Sequence, residues 1–186
     1  IARKRGAVDE GFDTPQETVK DADLVVFCSP ILSIAKMVKE TAPCFKESCV
    51  VTDVGSTKGF LTSVMMERLR NSSVKYVGSH PVTGSEQQGI DAARSDLYEK
   101  AVVVVAPRSE TPEFVIQRVE TLWRTVGAQT RRMDPEEHDA IMARTSHLPH
   151  MMAALLALTV GRDDDLERFA SFCGPGYRDT TRIAEG

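Results

Sequence analysis

With 186 residues, of which 41% are hydrophobic and 27% charged, the chain can bury a sizeable core and fits one globular domain, or one domain plus part of another. A net charge of −4 provides no bulk attraction to nucleic acid or to an acidic membrane, and no apolar stretch reaches membrane-spanning length. The four cysteines show no C-x-x-C spacing and read as reduced core residues, and the start carries no signal peptide, so a cytoplasmic protein is expected.

Residues 1–8 have no initiator Met and read as the tail of a helix running into a short strand, so the chain is expected to be a fragment of a longer protein. Arg3, Lys4 and Arg5, like Arg131 and Arg132, read as solvated surface. The apolar run at 24–28, closed by Ser29 and Pro30, predicts a strand buried on both faces, and residues 31–41 follow with helical spacing. The unit repeats: a second buried strand at 49–53, a tight turn at 55–59 and a helix at 60–70. A third strand at 74–78 leads into G-S-H-P-V-T-G-S-E-Q-Q-G at 78–89, where glycines and prolines predict a turn crowded with polar side chains.

Residues 101–106 form the most β-prone run, and Thr111-Pro112-Glu113 starts a helix whose buried face is expected to be Phe114, Ile116, Val119, Leu122 and Trp123. A strand at 128–133 completes the set. Alternating strands and helices predict a doubly wound α/β sheet, whose ligands sit at the carboxyl ends of its strands. Beyond Asp134-Pro135 the period becomes helical, predicting one long helix over 138–160 kinked at Pro149, then a short helix at 166–172.

Several motifs can carry chemistry. No G-x-G-x-x-G follows a strand, so either the fold does not bind dinucleotides or its first βα unit is missing. Three of the four histidines fall on the long helix, and His147 and His150 share a face with Ser146. They can be core histidines or, less persuasively, a zinc pair, because no third ligand stands at a suitable spacing. Arg178 and Arg182, one helical turn apart after a glycine turn, suit capture of carboxylates or are surface cations.

Taken in order, D-V-G-S-T-K-G at 53–59, G-S-H-P-V-T-G-S-E at 78–86, His138-Asp139 with S-H-L-P-H at 146–150, and G-Y-R-D-T-T-R-I-A at 176–184 resemble the motif series of the prephenate/arogenate dehydrogenases of tyrosine biosynthesis. Val82-Thr83-Gly84-Ser85-Glu86 departs slightly from the Met/Ile-Ala-Gly-Thr-Glu of many relatives. The resemblance implies a Rossmann-like NAD(P)-binding domain at 1–133, lacking its first βα unit, and the beginning of an all-helical dimerisation domain at 134–186.

It further implies oxidative decarboxylation of prephenate or arogenate with NAD or NADP, in a homodimer formed through the helical domain. His80 would assist loss of the hydroxyl proton, and Ser56 would align His80 and the nicotinamide. His150, Arg182, Ser85, Ser146, His147 and Arg178 would contact substrate, Arg182 through a carboxylate. Glu86 and Asp179 would gate access, and Ser29, Pro30, Asp53, Gly55 and Ser56 would meet the cofactor; no metal is implied. A dehydrogenase of another small hydroxy acid and a non-catalytic remnant of a Rossmann enzyme are the alternatives.

Overall fold

Runs rich in β-branched residues build the strands at 24–27, 50–53 and 102–106, and shorter or more polar segments pair beside them. β1 (Leu24–Phe27), β2 (Val50–Asp53) and β3 (Lys75–Tyr76) pair in parallel in that order, and β4 (Gly78–Val82), β5 (Val102–Ala106) and β6 (Gln129–Arg132) form a second set. The structure, a computed structural model, describes residues 2–84, 89–162 and 165–184. These fall into two compact units, 2–84 with 89–139 and 140–162 with 165–184.

In the first unit, consecutive strand residues point to opposite faces, and both faces are covered. Phe27, Cys49 and Val51 pack with Ile34 and Val38 of α2 (Ile31–Thr41) and with Leu61, Met65 and Leu69 of α3 (Gly59–Leu69). On the opposite face Val50, Val77, Val103 and Val105 pack with Val115, Ile116, Val119 and Trp123 of α4 (Glu113–Thr125). The result is a Rossmann-like doubly wound α/β arrangement, as the alternating pattern predicts. The short α1 (Pro15–Val19), missed by periodicity, is capped by Thr14, whose hydroxyl accepts from Glu17 N at 3.3 Å.

Several details differ from the sequence reading. Residues 78–82 are strand β4 and not a turn, and β4 runs antiparallel to β5. A parallel return needs a long crossover, usually a helix, whereas the described part of the β4–β5 connection offers only the 3₁₀ turn Ile90–Ala92. Phe114 is 59% exposed, because the buried stripe of α4 centres on Val115 and Val119. Among the cysteines only Cys49 is buried; Cys28 is exposed, and Cys44 and Cys173 are half-buried. Arg132 is exposed, as its surface reading expects, and there pairs with α4, at 2.8 Å from Glu120 and 2.7 Å from Glu113. Residues 3–5 form a 3₁₀ turn, and no strand follows at Ala7 and Val8.

The interior of the first unit also holds a polar cluster. Lys58 and Asp53 are fully buried and form an ion pair, and Lys58 Nζ donates to Ser79 O at 2.8 Å. Asp53 further accepts from Gly55 N at 2.7 Å and from the Tyr76 hydroxyl at 2.7 Å. Burial pulls the Lys58 ammonium below its ordinary value, against the opposing field of Asp53. Burial and then the Asp53 charge push the Tyr76 phenol well above its own. Ser79 Oγ donates to Asp53 O at 2.6 Å and accepts from Trp123 Nε1 at 3.0 Å, so Thr52, 2.9 Å away, must be the donor of that pair. Gly78 is required here: a Cβ would stand 2.8 Å from the Tyr76 oxygen and 3.2 Å from Lys58 Cδ.

The long helix expected over 138–160 is three pieces: α5 (Pro135–Met142), a π segment (Ala143–His147) and α6 (Leu148–Gly161). Pro149 lies in the first turn of α6, where a missing N–H is tolerated, and Leu148 N bonds Ala143 O one residue further back than an α-helix would. In the second unit α7 (Leu166–Ser171) and α8 (Pro175–Thr181) follow, and Tyr177 of α8 donates to Leu156 O at 3.2 Å. Among the residues of α6 only Ala153 is buried, while Met151, Met152, Leu155 and Leu158 remain exposed.

Removing one member of the buried ion pair leaves the other charge without compensation. Lys58→Met is expected to lower stability by about 3–5 kcal/mol, measured by urea unfolding. The double variant Asp53→Asn/Lys58→Met is expected to recover part of that loss.

Candidate active site

His80 sits in the middle of β4, half-buried, opposite Val104 of β5. Its Nδ1 lies 2.8 Å from Nε2 of His138, and the two rings meet edge to face with centroids 5.0 Å apart. His138, on α5, is completely buried, and its Nδ1 lies 2.8 Å from Oδ1 of Asp139. The Asp139 carboxylate in turn accepts from Lys58 N at 2.7 Å and Gly59 N at 2.9 Å, the open N-terminal amides of α3.

This capping has a local cause. Lys58 occupies the N-cap position of α3 but has no acceptor to offer its own helix, so a carboxylate from α5 takes that role. Burial raises the Asp139 carboxyl, but the amide of Lys58, the His138 ring and the amide of Gly59 together hold it below its ordinary value. Lys58 therefore serves twice: its side chain fixes the backbone beside His80, and its amide fixes the carboxylate behind His138.

The other residues nominated from the sequence are distributed as follows. Ser56 is exposed, three residues beyond the last residue of β2, and Ser29 and Pro30 lie between β1 and α2. These positions, at the carboxyl ends of parallel strands, fit the edge where such sheets hold a nucleotide. The Asp53 carboxylate at the end of β2 is fully buried and engaged by Lys58, Tyr76 and Gly55, so the side chain is a structural centre. Gly55 is buried, and a Cβ there would lie 3.0 Å from Asp53 Oδ1 and 3.2 Å from Ile31. Ser85 and Glu86 lie outside the described residues.

In the second unit Ser146 and His147 are half-buried in the π segment, and His150 is exposed on α6 with Nδ1 donating to Ser146 O at 2.8 Å. Arg178 and Asp179 belong to α8 and Arg182 to the 3₁₀ turn after it; all three line an open groove of about 560 Å³ together with Tyr177, Cys173 and Leu166. A groove of about 400 Å³ in the first unit, lined by Thr62, Met66, Val74 and Pro112, contains none of the nominated residues. Among the described residues no three His, Cys, Asp or Glu side chains are grouped to hold a metal ion.

Sequence reasoning assigned no role to Lys58, His138 or Asp139. All three stood inside quoted motifs, but nothing in spacing alone says that a helix beginning at Pro135 will cap one beginning at Gly59.

Residues 1–132 match the nucleotide-binding domain of prephenate dehydrogenase, and residues 134–186 match its dimerization domain. The chain belongs to the prephenate dehydrogenase family. It is 31% identical to cyclohexadienyl dehydrogenase of Zymomonas mobilis over 98% of this chain and 62% of that one. It is 32% identical to prephenate dehydrogenase of Bacillus subtilis over 98% of this chain and 50% of that one. Prephenate dehydrogenase of Aquifex aeolicus, solved with hydroxyphenyl propionate and NAD+, superimposes with a TM-score of 0.90 at 31% identity, over 100% of this chain and 64% of that one. The chain thus spans between half and just under two thirds of the length of these relatives. The matches do not favour the hydroxy-acid dehydrogenase or the non-catalytic remnant weighed from the sequence.

The depressed Asp139 carboxyl has a consequence for acid stability. A group with a lowered folded-state value binds fewer protons folded than unfolded in that range, so its contribution is complete above about pH 4 and lost as pH falls through the lowered value. The melting temperatures of wild type and Asp139→Asn are therefore expected to differ most near neutrality and to converge in acid, as followed by circular dichroism.

Proposed function

We propose that the chain is the catalytic portion of an NAD(P)-dependent prephenate or arogenate dehydrogenase, an oxidoreductase that supplies tyrosine or its keto acid by oxidative decarboxylation. The observation that most supports this is His80, a ring whose Nδ1 is tied to the buried His138 and through it to the half-buried Asp139. A hydrogen-bonded imidazole of this kind is suited to proton transfer at neutral pH. Family membership over both matched segments supplies the substrate class.

In this reading His80 accepts the proton of the ring hydroxyl while the C–H bond at that carbon breaks. The nicotinamide supplies the hydride acceptor when bound, and the chain would hold it through the Ser29-Pro30 turn and the Gly55-Ser56 backbone, with Ser56 aligning the reacting groups. Loss of carbon dioxide pushes electrons toward the ring oxygen, and His80 returns its proton to that oxygen as the ring becomes aromatic. Arg182 binds a substrate carboxylate by a charge-assisted pair; Arg178, Ser146, His147, His150 and Ser85 contact the substrate, and Glu86 and Asp179 control entry.

We also read residues 1–133 as the nucleotide-binding domain and 134–186 as the start of a helical domain that forms a homodimer. The exposed Met151, Leu155 and Leu158 of α6 support an apolar interface there. A cytoplasmic setting agrees with four free thiols. No helix among the described residues is long and apolar enough to cross a membrane.

The direct test is to assay the full-length protein with prephenate and with arogenate, each with NAD+ and NADP+. Turnover of neither substrate would refute the reading. His80→Asn is expected to lower kcat by about 10²-fold or more with little change in KM. Arg182→Gln is expected to act the other way, with a large rise in KM; an unchanged KM would remove Arg182 from the substrate site.

A further inference from the structure

His80 alone is a ring with two possible neutral tautomers, and only one of them leaves an acceptor at Nε2. The groups behind it choose between them. Asp139 caps α3 through the amides of Lys58 and Gly59, and its carboxylate can only accept, so the 2.8 Å contact with His138 requires a proton on His138 Nδ1. In the neutral pair His138 Nε2 then carries the lone pair. The 2.8 Å contact between that atom and His80 Nδ1 is satisfied only if His80 Nδ1 carries the proton.

We propose that His138 and Asp139 are positioning residues that hold His80 in the Nδ1–H tautomer, making Nε2 its acceptor for the substrate hydroxyl proton. The inference rests on the dehydrogenase reading for its chemistry, though not for its geometry. It adds two residues to the reaction and gives the N-terminus of α3 a place behind them. The same chain supports the return step: once Nε2 holds the hydroxyl proton, the imidazolium donates from Nδ1 to a His138 backed by a carboxylate, and it gives the Nε2 proton back to the ring oxygen. No net proton is gained or lost by the protein over the cycle.

An Asn at this position would still present an oxygen to His138, because Oδ1 of Asp139 accepts from both Lys58 N and His138 Nδ1, so the informative variant is Asp139→Ala. Without that acceptor His138 carries its proton on either ring nitrogen, and His80 follows it. Long-range proton–nitrogen correlation of the full-length protein, with the His80 signals assigned by their loss in His80→Asn, is expected to show His80 protonated at Nδ1 in wild type and divided between Nδ1 and Nε2 in Asp139→Ala. In the folded variant kcat is expected to fall by about 10²-fold with KM changed by less than about threefold.

A wild-type His80 protonated at Nε2 would overturn the proposal, as would an Asp139→Ala protein with unaltered tautomer and unaltered kcat. If Asp139→Ala does not fold, the wild-type spectrum still decides the tautomer. His138→Gln, which keeps Asp139 on α3, then tests the effect on kcat, and an unaltered kcat there would also overturn the proposal. The spectrum needs no substrate, so a protein that turns over neither prephenate nor arogenate would remove the functional reading and leave the tautomer result standing.

Discussion

A single buried charge pair holds the first unit to its shape. Lys58 and Asp53 lie where β2, β4 and α3 meet, and each would be costly there without the other. The pair reaches outward through directed bonds: Asp53 to the turn at Gly55 and to Tyr76, Lys58 to the carbonyl of Ser79, and Ser79 to Trp123 on the far face of the sheet. Both hydrophobic clusters are thereby fastened to one polar centre. Apolar packing sets which faces meet, and this network sets their register.

That register matters because His80 follows Ser79 directly. A shift of one residue in β4 would send His80 to the opposite face of the sheet, away from His138. The strand is fixed from three sides: by β5 through pairing, by Lys58 at the backbone and by Trp123 at the Ser79 hydroxyl. The candidate catalytic ring therefore stands on a rigid strand with buried support, the arrangement that proton transfer with close geometric tolerance requires.

Much of the layered fold was legible in the sequence, since β-branched runs at 24–27, 50–53 and 102–106 and the apolar spacing of α2 carry period-based signals. The motif series likewise pointed to His80. What periodicity could not show were long-range polar bonds. Lys58 read as part of a turn, Asp53 as a cofactor contact and Asp139 as a motif residue without a role. The direction of β5 was hidden for a similar reason: a β-prone run has the same appearance whichever way it pairs. Phe114 misled because an aromatic residue at a helix start looks like core until its neighbours Val115 and Val119 are seen to fill that space.

The π segment at Ala143–His147 sets helical phase. It acts as an α-helix carrying one residue too many, so every side chain from Leu148 onward is turned by about 100° from where an uninterrupted helix would place it. The apolar residues of α6 and the ring of His150 owe their direction to that offset as much as to their own identity. A one-residue deletion in this turn would leave composition and hydropathy almost unchanged and yet present a different surface along the whole of α6. Insertion and deletion, more than substitution, are the changes to which this helix is most sensitive.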